Sequence, residues 1–181
     1  TGSQRRGAQL RAFMPDLEIV GLRGNIDTRL KKIETENLTG VVLAAAGMKR
    51  LGYTDVITQY LPTEIMLPAV GQGALGVQAR TEDERLLSLC AALNHGPTYT
   101  EVTAERSYLQ ALGGGCRLPI AAYGLIEKGR LTLEGMLAAP DGSSWARDKV
   151  WGELDEAQEM GRKLAGMIMD KGGRELLDLL D

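Results

Sequence analysis

Apolar positions recur along this chain in three rhythms, and each predicts a different kind of structure. From Thr1 to Val70, helical spacing alternates with short extended runs. Ser3 is placed to cap a helix from Gln4 to about Phe13, which Pro15-Asp16 then breaks. Leu17 to Leu22 reads as a strand. Asn25 can cap a second helix, with Ile26, Leu30 and Ile33 on one face. Gly40 precedes Val41-Val42-Leu43-Ala44, a continuous apolar run of the kind buried parallel strands show. Ala45 to Leu51 reads as a helix stopped by Gly52, and Pro62 and Pro68 bracket an extended segment, Thr63 to Leu67. Strand alternating with helix predicts an α/β lobe with a mostly parallel sheet.

The second rhythm runs from Val70 to Arg80, where Gly71, Gly73 and Gly76 interrupt an apolar pattern of Ala74, Val77 and Ala79. It predicts a crossover or hinge strand. Thr81 to Asn94 follows as a helix, with Leu86, Leu89, Cys90 and Leu93 on one side. Gly96-Pro97 marks a domain boundary, and His95 beside it reads as a structural or hinge residue.

The third rhythm is α+β. Pro97 to Leu112 is helical, with Val102, Leu109 and Leu112 on one face and Glu101, Glu105 and Arg106 assigned elsewhere. Ile120 to Ile126, Arg130 to Ala138 and Ser144 to Val150 read as strands of an antiparallel meander. They are joined by the turns Glu127-Lys128-Gly129 and Pro140-Asp141-Gly142-Ser143. Trp145 and Trp151 read as sheet and core residues. Leu154 to Asp170 is amphipathic, with Ala157, Met160, Leu164, Met167 and Ile168 toward the sheet. Gly172-Gly173 separates it from a closing helix, Arg174 to Leu180.

Composition narrows the function classes. A hydrophobic content of 44% over 181 residues supports a real core. The net charge of −3 gives no global attraction to nucleic acid or an anionic membrane. Aromatics make up only 4%, so no base-stacking platform is visible. No apolar run has the length of a membrane span, and no signal peptide is visible. Cys90 and Cys116 form no disulfide framework and no metal-ligand spacing, which fits a reducing, cytosolic setting. Cys90 reads as a packed thiol in an apolar helical face.

Local arginine placement says more than net charge. Arg5 and Arg6 lie in the first turn of the first helix, where the dipole disfavours cations. An anion held by Ser3, free backbone N–H groups and the guanidinium forks would compensate. Arg23, Arg29, Lys49 and Arg50 follow predicted strands, and ligand clefts of open α/β sheets lie beyond the carboxyl ends of strands. A polycarboxylate suits the planar fork best. The plainer alternative is that each is a solvated surface arginine.

Gly113-Gly114-Gly115-Cys116 delivers a thiol on a glycine hinge between a helix and a sheet. One reading is a glycine helix end followed by an ordinary buried cysteine. The other is a nucleophile or covalent attachment point. Spacing alone leaves both open.

Four blocks together resemble porphobilinogen deaminases (hydroxymethylbilane synthases). They are Ser3-x-Arg5-Arg6 with Gln9-Leu10, Leu22-Arg23-Gly24-Asn25-x-x-Thr28-Arg29-Leu30, Leu67 through Ala74, and Leu93-Asn94-His95 through Ala104-Glu105-Arg106 to Cys116. The resemblance implies a periplasmic-binding-protein-like lobe with a mostly parallel sheet, followed by a small α+β domain with a three-stranded antiparallel sheet. Residues 1–72 correspond to the second, cofactor- and substrate-binding domain, 73–95 to a hinge and a segment returning to the first domain, and 96–181 to the C-terminal domain. It implies head-to-tail condensation of four porphobilinogen units to hydroxymethylbilane, with release of ammonia, in tetrapyrrole biosynthesis. The product grows on a dipyrromethane cofactor, held by a thioether that maps to Cys116. Ser3, Arg5 and Arg6 map to cofactor binding, and Arg23, Arg29, Arg50 and Gln72 to substrate binding and the hinge.

The family's general-acid aspartate has no counterpart here. It and most of the first domain are expected upstream of Thr1, so this chain alone is expected to be silent. The partners implied are porphobilinogen, the growing polypyrrole and the first domain, in a cytoplasmic, monomeric full-length protein without nucleic acid, membrane or metal. The alternative from another class is a non-enzymatic solute-binding domain for a small polycarboxylate, which would need no thiol on the glycine loop.

Overall fold

The structure is a computed structural model, and it describes residues 1–113 and 119–178. Helix α1 (Gln4–Phe13) starts at Ser3, whose hydroxyl accepts from the Arg6 N–H at 3.4 Å. Helix α2 (Ile26–Thr35) starts at Asn25, whose Oδ1 accepts from the Thr28 N–H at 2.8 Å. A short α3 (Ala45–Arg50) follows. All three helices stand where the apolar spacing and caps place them.

The parallel sheet expected between these helices is not formed among the described residues. Leu17 to Leu22 and Val41 to Ala44 run extended but join no ladder. A strand forms only when a neighbour takes its N–H and C=O groups. Here the Val42 carbonyl accepts from a guanidinium of Arg6 instead. Val70 to Arg80 likewise forms no strand. A tight turn at Ala69–Gln72 opens it, and the chain beyond runs exposed.

Helix α4 (Glu84–Leu93) is capped by Asp83, whose carboxylate accepts from the Leu86 N–H at 3.0 Å. It has the predicted apolar face, yet none of its residues is buried. Cys90 is therefore half-buried rather than a packed core thiol. The face that should enclose it covers nothing among the described residues.

Helix α5 (Gly96–Ala111) begins at His95, whose Nδ1 accepts from the Thr98 N–H, so His95 has the structural role expected of it. Strands β1 (Ile120–Glu127), β2 (Arg130–Ala138) and β3 (Trp145–Gly152) form the predicted antiparallel meander in the order β1-β2-β3. Helix α6 (Ala157–Ile168) packs beside α5 on one face of this sheet. Gly161 permits that approach, since a Cβ there would lie 2.5 Å from the Ala104 carbonyl oxygen. Tyr108, Leu131, Leu133, Leu137, Leu164 and Ile168 form the centre of the core. After α6 the chain kinks at Lys171-Gly172 into α7 (Arg174–Asp178).

Two readings change in this unit. Trp145 and Trp151 belong to the sheet but not the core: strand alternation sends Ala146 and Val150 inward and leaves both indoles outward and exposed. Glu105 is buried on the sheet-facing side of α5. It stands three residues after Val102 and four before Leu109, so helical spacing puts it on their row.

The opposite face of the sheet receives α1. Ala8, Leu67, Ala121, Met136 and Ala138 form a small second core. Arg147 on β3 pairs with Glu134 at 2.7 Å and donates to the carbonyls of Glu64 and Thr63 at 2.6 and 3.0 Å. Arg11 donates to the Pro140 carbonyl at 3.3 Å. These contacts hold the middle and last turn of α1, with the segment from Thr63 to Leu67, against the C-terminal unit.

Candidate functional site

The first turn of α1 carries Arg5 and Arg6, both partly withdrawn from water. Arg5 donates through one guanidinium nitrogen to the Leu67 carbonyl and through the other to Gln72 Oε1 at 3.1 Å. Arg6 donates to the Val42 carbonyl at 3.1 Å. Arg29, one turn into α2, donates through Nε to the Gly24 carbonyl at 2.7 Å. Every one of these acceptors is neutral. The ion pairs among the described residues lie elsewhere and include none of Arg5, Arg6, Arg23, Arg29 or Arg50.

The electrostatics carry the mark of this arrangement. Burial, and then the charge of Arg6, lower the Arg5 pKa to about 10. Burial and then the charge of Arg29 lower Arg6. Desolvation and like-charge repulsion both disfavour the charged form of a base. A guanidinium keeps its charge at neutral pH, so unneutralised positive charge is held in a half-dry place. A carboxylate entering there would relieve the repulsion and take charge-assisted hydrogen bonds from the free edges of the forks.

Ser3, Arg5, Arg6, Arg29 and Gln72 are thus brought into one neighbourhood by the α1 N-terminus, the start of α2 and the turn at Ala69–Gln72. Arg23 precedes the Gly24 that Arg29 holds; it is exposed and makes no hydrogen bond among the described residues. Arg50 is exposed in the last turn of α3, a favourable place for a cation. No hydrogen bond or ion pair among the described residues ties it to the cluster. Cys116 lies outside the described residues.

One residue escaped functional notice. Gln9 is buried at 4% exposure, accepts from the Leu67 N–H at 2.7 Å and donates to the Leu67 carbonyl at 3.1 Å. The signal available in the sequence was an amide side chain one turn after Arg5, within the small and apolar run Gly7-Ala8-Gln9-Leu10.

The fold and the cluster define a class: a chain with an arginine cluster suited to a carboxylate-bearing ligand, packed beside an α+β unit. Two family models make the class specific. Residues 1–88 match "Porphobilinogen deaminase, dipyromethane cofactor binding domain", and residues 99–170 match "Porphobilinogen deaminase, C-terminal domain". The chain is 48% identical over 181 residues to the porphobilinogen deaminase of Syntrophus aciditrophicus, covering 100% of this chain and 59% of that protein. It is 50% identical over 177 residues to that of Moorella thermoacetica, covering 98% and 56%. With the Pelobacter propionicus protein the identity is 46% over 178 residues, covering 98% and 57%. The chain belongs to the porphobilinogen deaminase family. It spans somewhat more than half the length of the curated relatives it matches.

Proposed function

We propose that this chain is the part of a hydroxymethylbilane synthase that holds the dipyrromethane cofactor and the pyrrole chain growing on it. The observation that carries the reading is the trio Arg5, Arg6 and Arg29, half-buried, mutually repelling and paired only with neutral acceptors. Its donor set fits a group rich in acetate and propionate carboxylates.

Arg5 and Arg6, with the Ser3 hydroxyl, bind the carboxylates of the cofactor. Arg23, Arg29 and Arg50 bind those of incoming porphobilinogen and the lengthening product. Gln72 steadies Arg5 at the hinge. The Cys116 thiol is the point of covalent attachment. When bound, the cofactor supplies the pyrrole end to which the first unit is joined. Four porphobilinogen units then condense head to tail with release of ammonia. The residues of this chain bind and orient; the carboxyl group that handles the proton lies in the part of the family's length this chain does not span.

The domain assignment follows the same reading. Residues 1–72 are one lobe of a periplasmic-binding-protein-like pair, whose sheet is completed in the full protein. Residues 73–95 return to the other lobe, which explains the bare apolar face of α4. Residues 96–181 are the C-terminal domain. Among the described residues no helix is long and apolar enough to cross a membrane. We place the full-length protein in the cytoplasm as a monomer, where a reducing setting keeps Cys116 available.

Intact-mass measurement of the full-length protein and two variants tests the assignment. The wild type and Cys90→Ser should carry the added mass of two pyrrole units, and Cys116→Ser should lack it. An adduct retained in Cys116→Ser removes the thiol from its role.

A further inference from the structure

Among the described residues, two polar side chains are buried: Gln9 at 4% and Glu105 at 6% exposure. They come from different helices, yet both grip the segment Leu67–Gln72. Gln9 holds Leu67 through both its N–H and its carbonyl. Glu105 Oε2 accepts from the Gly71 N–H at 2.6 Å, and Oε1 accepts from the Gly124 N–H of β1 at 2.8 Å. The Pro68 carbonyl accepts from Ala122 on the same strand at 3.2 Å.

The gripped segment is a tight turn. The Gln72 N–H donates to the Ala69 carbonyl at 2.9 Å, and Gly71 has φ +69°, the conformation that favours glycine at the third turn position. Gln72 folds its side chain back so that Oε1 accepts from both the Ala69 N–H, at 3.3 Å, and Arg5, at 3.1 Å. The Leu67 carbonyl is the other acceptor for Arg5. Both acceptors that aim the Arg5 guanidinium therefore belong to the one segment Leu67–Gln72.

We propose that Glu105 is a positioning residue that aims Arg5 at the ligand by clamping the Leu67–Gln72 turn between α5 and β1. The inference rests on the reading of Arg5 as a carboxylate-binding residue. Glu105 makes no ion pair among the described residues. Its value lies in being a two-oxygen acceptor for two converging N–H donors. An amide in its place has one acceptor and would set its own NH2 against a donor. Burial and the charge of Glu101, one turn earlier, raise the Glu105 pKa, and the two N–H donors oppose that rise. The side chain is retained in a costly place because both its oxygens are used.

The test is ligand-free, so its failure is distinct from failure of the ligand assignment. In the 15N-labelled chain, Glu105→Gln should speed exchange of the Gly71 amide by about tenfold, the worth of one ordinary hydrogen bond. It should also shift the Arg5 side-chain N–H resonances. The amides of Leu133 and Val150 in the sheet should keep their wild-type exchange. Gln72→Ala, at an exposed position, should shift the Arg5 resonances while leaving the Gly71 and Gly124 amides protected; if Glu105→Gln fails to fold, Glu105→Asp, one methylene too short to reach both donors, should speed exchange of the Gly71 amide and shift the Arg5 resonances in its place. Wild-type Arg5 resonances in any folded variant, or an undisturbed Gly71 amide in the folded Glu105 variant, overturn the proposal.

Discussion

Tyr108, Leu133, Leu137, Leu164 and Ile168 of the C-terminal unit are wholly buried, whereas Leu75 and Leu93 in the segment before it are 95% and 75% exposed. Both regions carry dense, periodic apolar patterns. The difference lies in whether the chain itself supplies the opposing surface. α5, α6 and one face of the three-stranded sheet enclose a common core. The face of α4 meets nothing comparable among the described residues. An apolar pattern thus records that a contact is needed, and only the fold says which polypeptide provides it. The arginine cluster lies between the two regions, on an α1 that packs Ala8 against the three-stranded sheet.

The comparison breaks most sharply under core truncation. Leu164→Ala should cost about 2–5 kcal/mol, because it removes a fully buried side chain and leaves a cavity against Tyr108 and the sheet. A urea melt monitored at the sheet tryptophans reads this directly. An unchanged midpoint would mean that the C-terminal core does not govern stability.

Next come the site arginines, which should matter for ligand and little for fold. In the full-length enzyme, Arg5→Leu or Arg29→Leu should each lose about 1.5–3 kcal/mol of carboxylate binding, the range for charge-assisted hydrogen bonds. Lysine should rescue only in part, since it lacks the planar fork. Steady-state turnover beside a melting curve separates the two effects, and wild-type turnover in both leucine variants would make these surface arginines.

Glu105 gives a smaller, pH-dependent effect. Its pKa is raised, above all by burial, over the ordinary 4.5. In the window between 4.5 and the raised value the folded state binds more protons than the unfolded state, so stability falls as pH rises. Urea melts across that window should show this fall in the wild type and its loss in Glu105→Gln. Parallel pH curves would mean that Glu105 titrates normally. The smallest effect is expected at Leu93→Ser, within about 0.5 kcal/mol for this chain, because the side chain stands 75% exposed. A large loss there would show that α4 already has a partner.

Legibility follows the same divide. Ser3 and Asn25 were readable as helix caps because capping is local chemistry, set by a side-chain oxygen and N–H groups three residues away. The meander was readable because its turns and alternation also lie within a few residues. The runs at Leu17–Leu22 and Val41–Ala44 have strand composition, but a strand is completed by a neighbour that the described residues do not provide. Trp145 and Trp151 were read by residue type, when strand parity decided their side. Glu105 was set aside because it is charged, although its spacing matched the buried row. The structure brings Ser3, Arg5, Arg6, Arg29 and Gln72 into one neighbourhood, whereas Arg50 makes no hydrogen bond or ion pair with them among the described residues and Cys116 lies outside those residues.

The central proposal is that this chain holds arginines for the ligand carboxylates and the C-terminal core, while catalysis and the cover for residues 73–95 come from the rest of the family's length. The direct measurement is porphobilinogen consumption by the 181-residue chain, alone and after adding the separately made N-terminal part of the Syntrophus aciditrophicus relative. Hydrogen exchange should be followed in parallel. The account predicts no turnover by the chain alone, then turnover on mixing, with new protection confined to residues 73–95 and the arginine site. Steady turnover by the chain alone would contradict it.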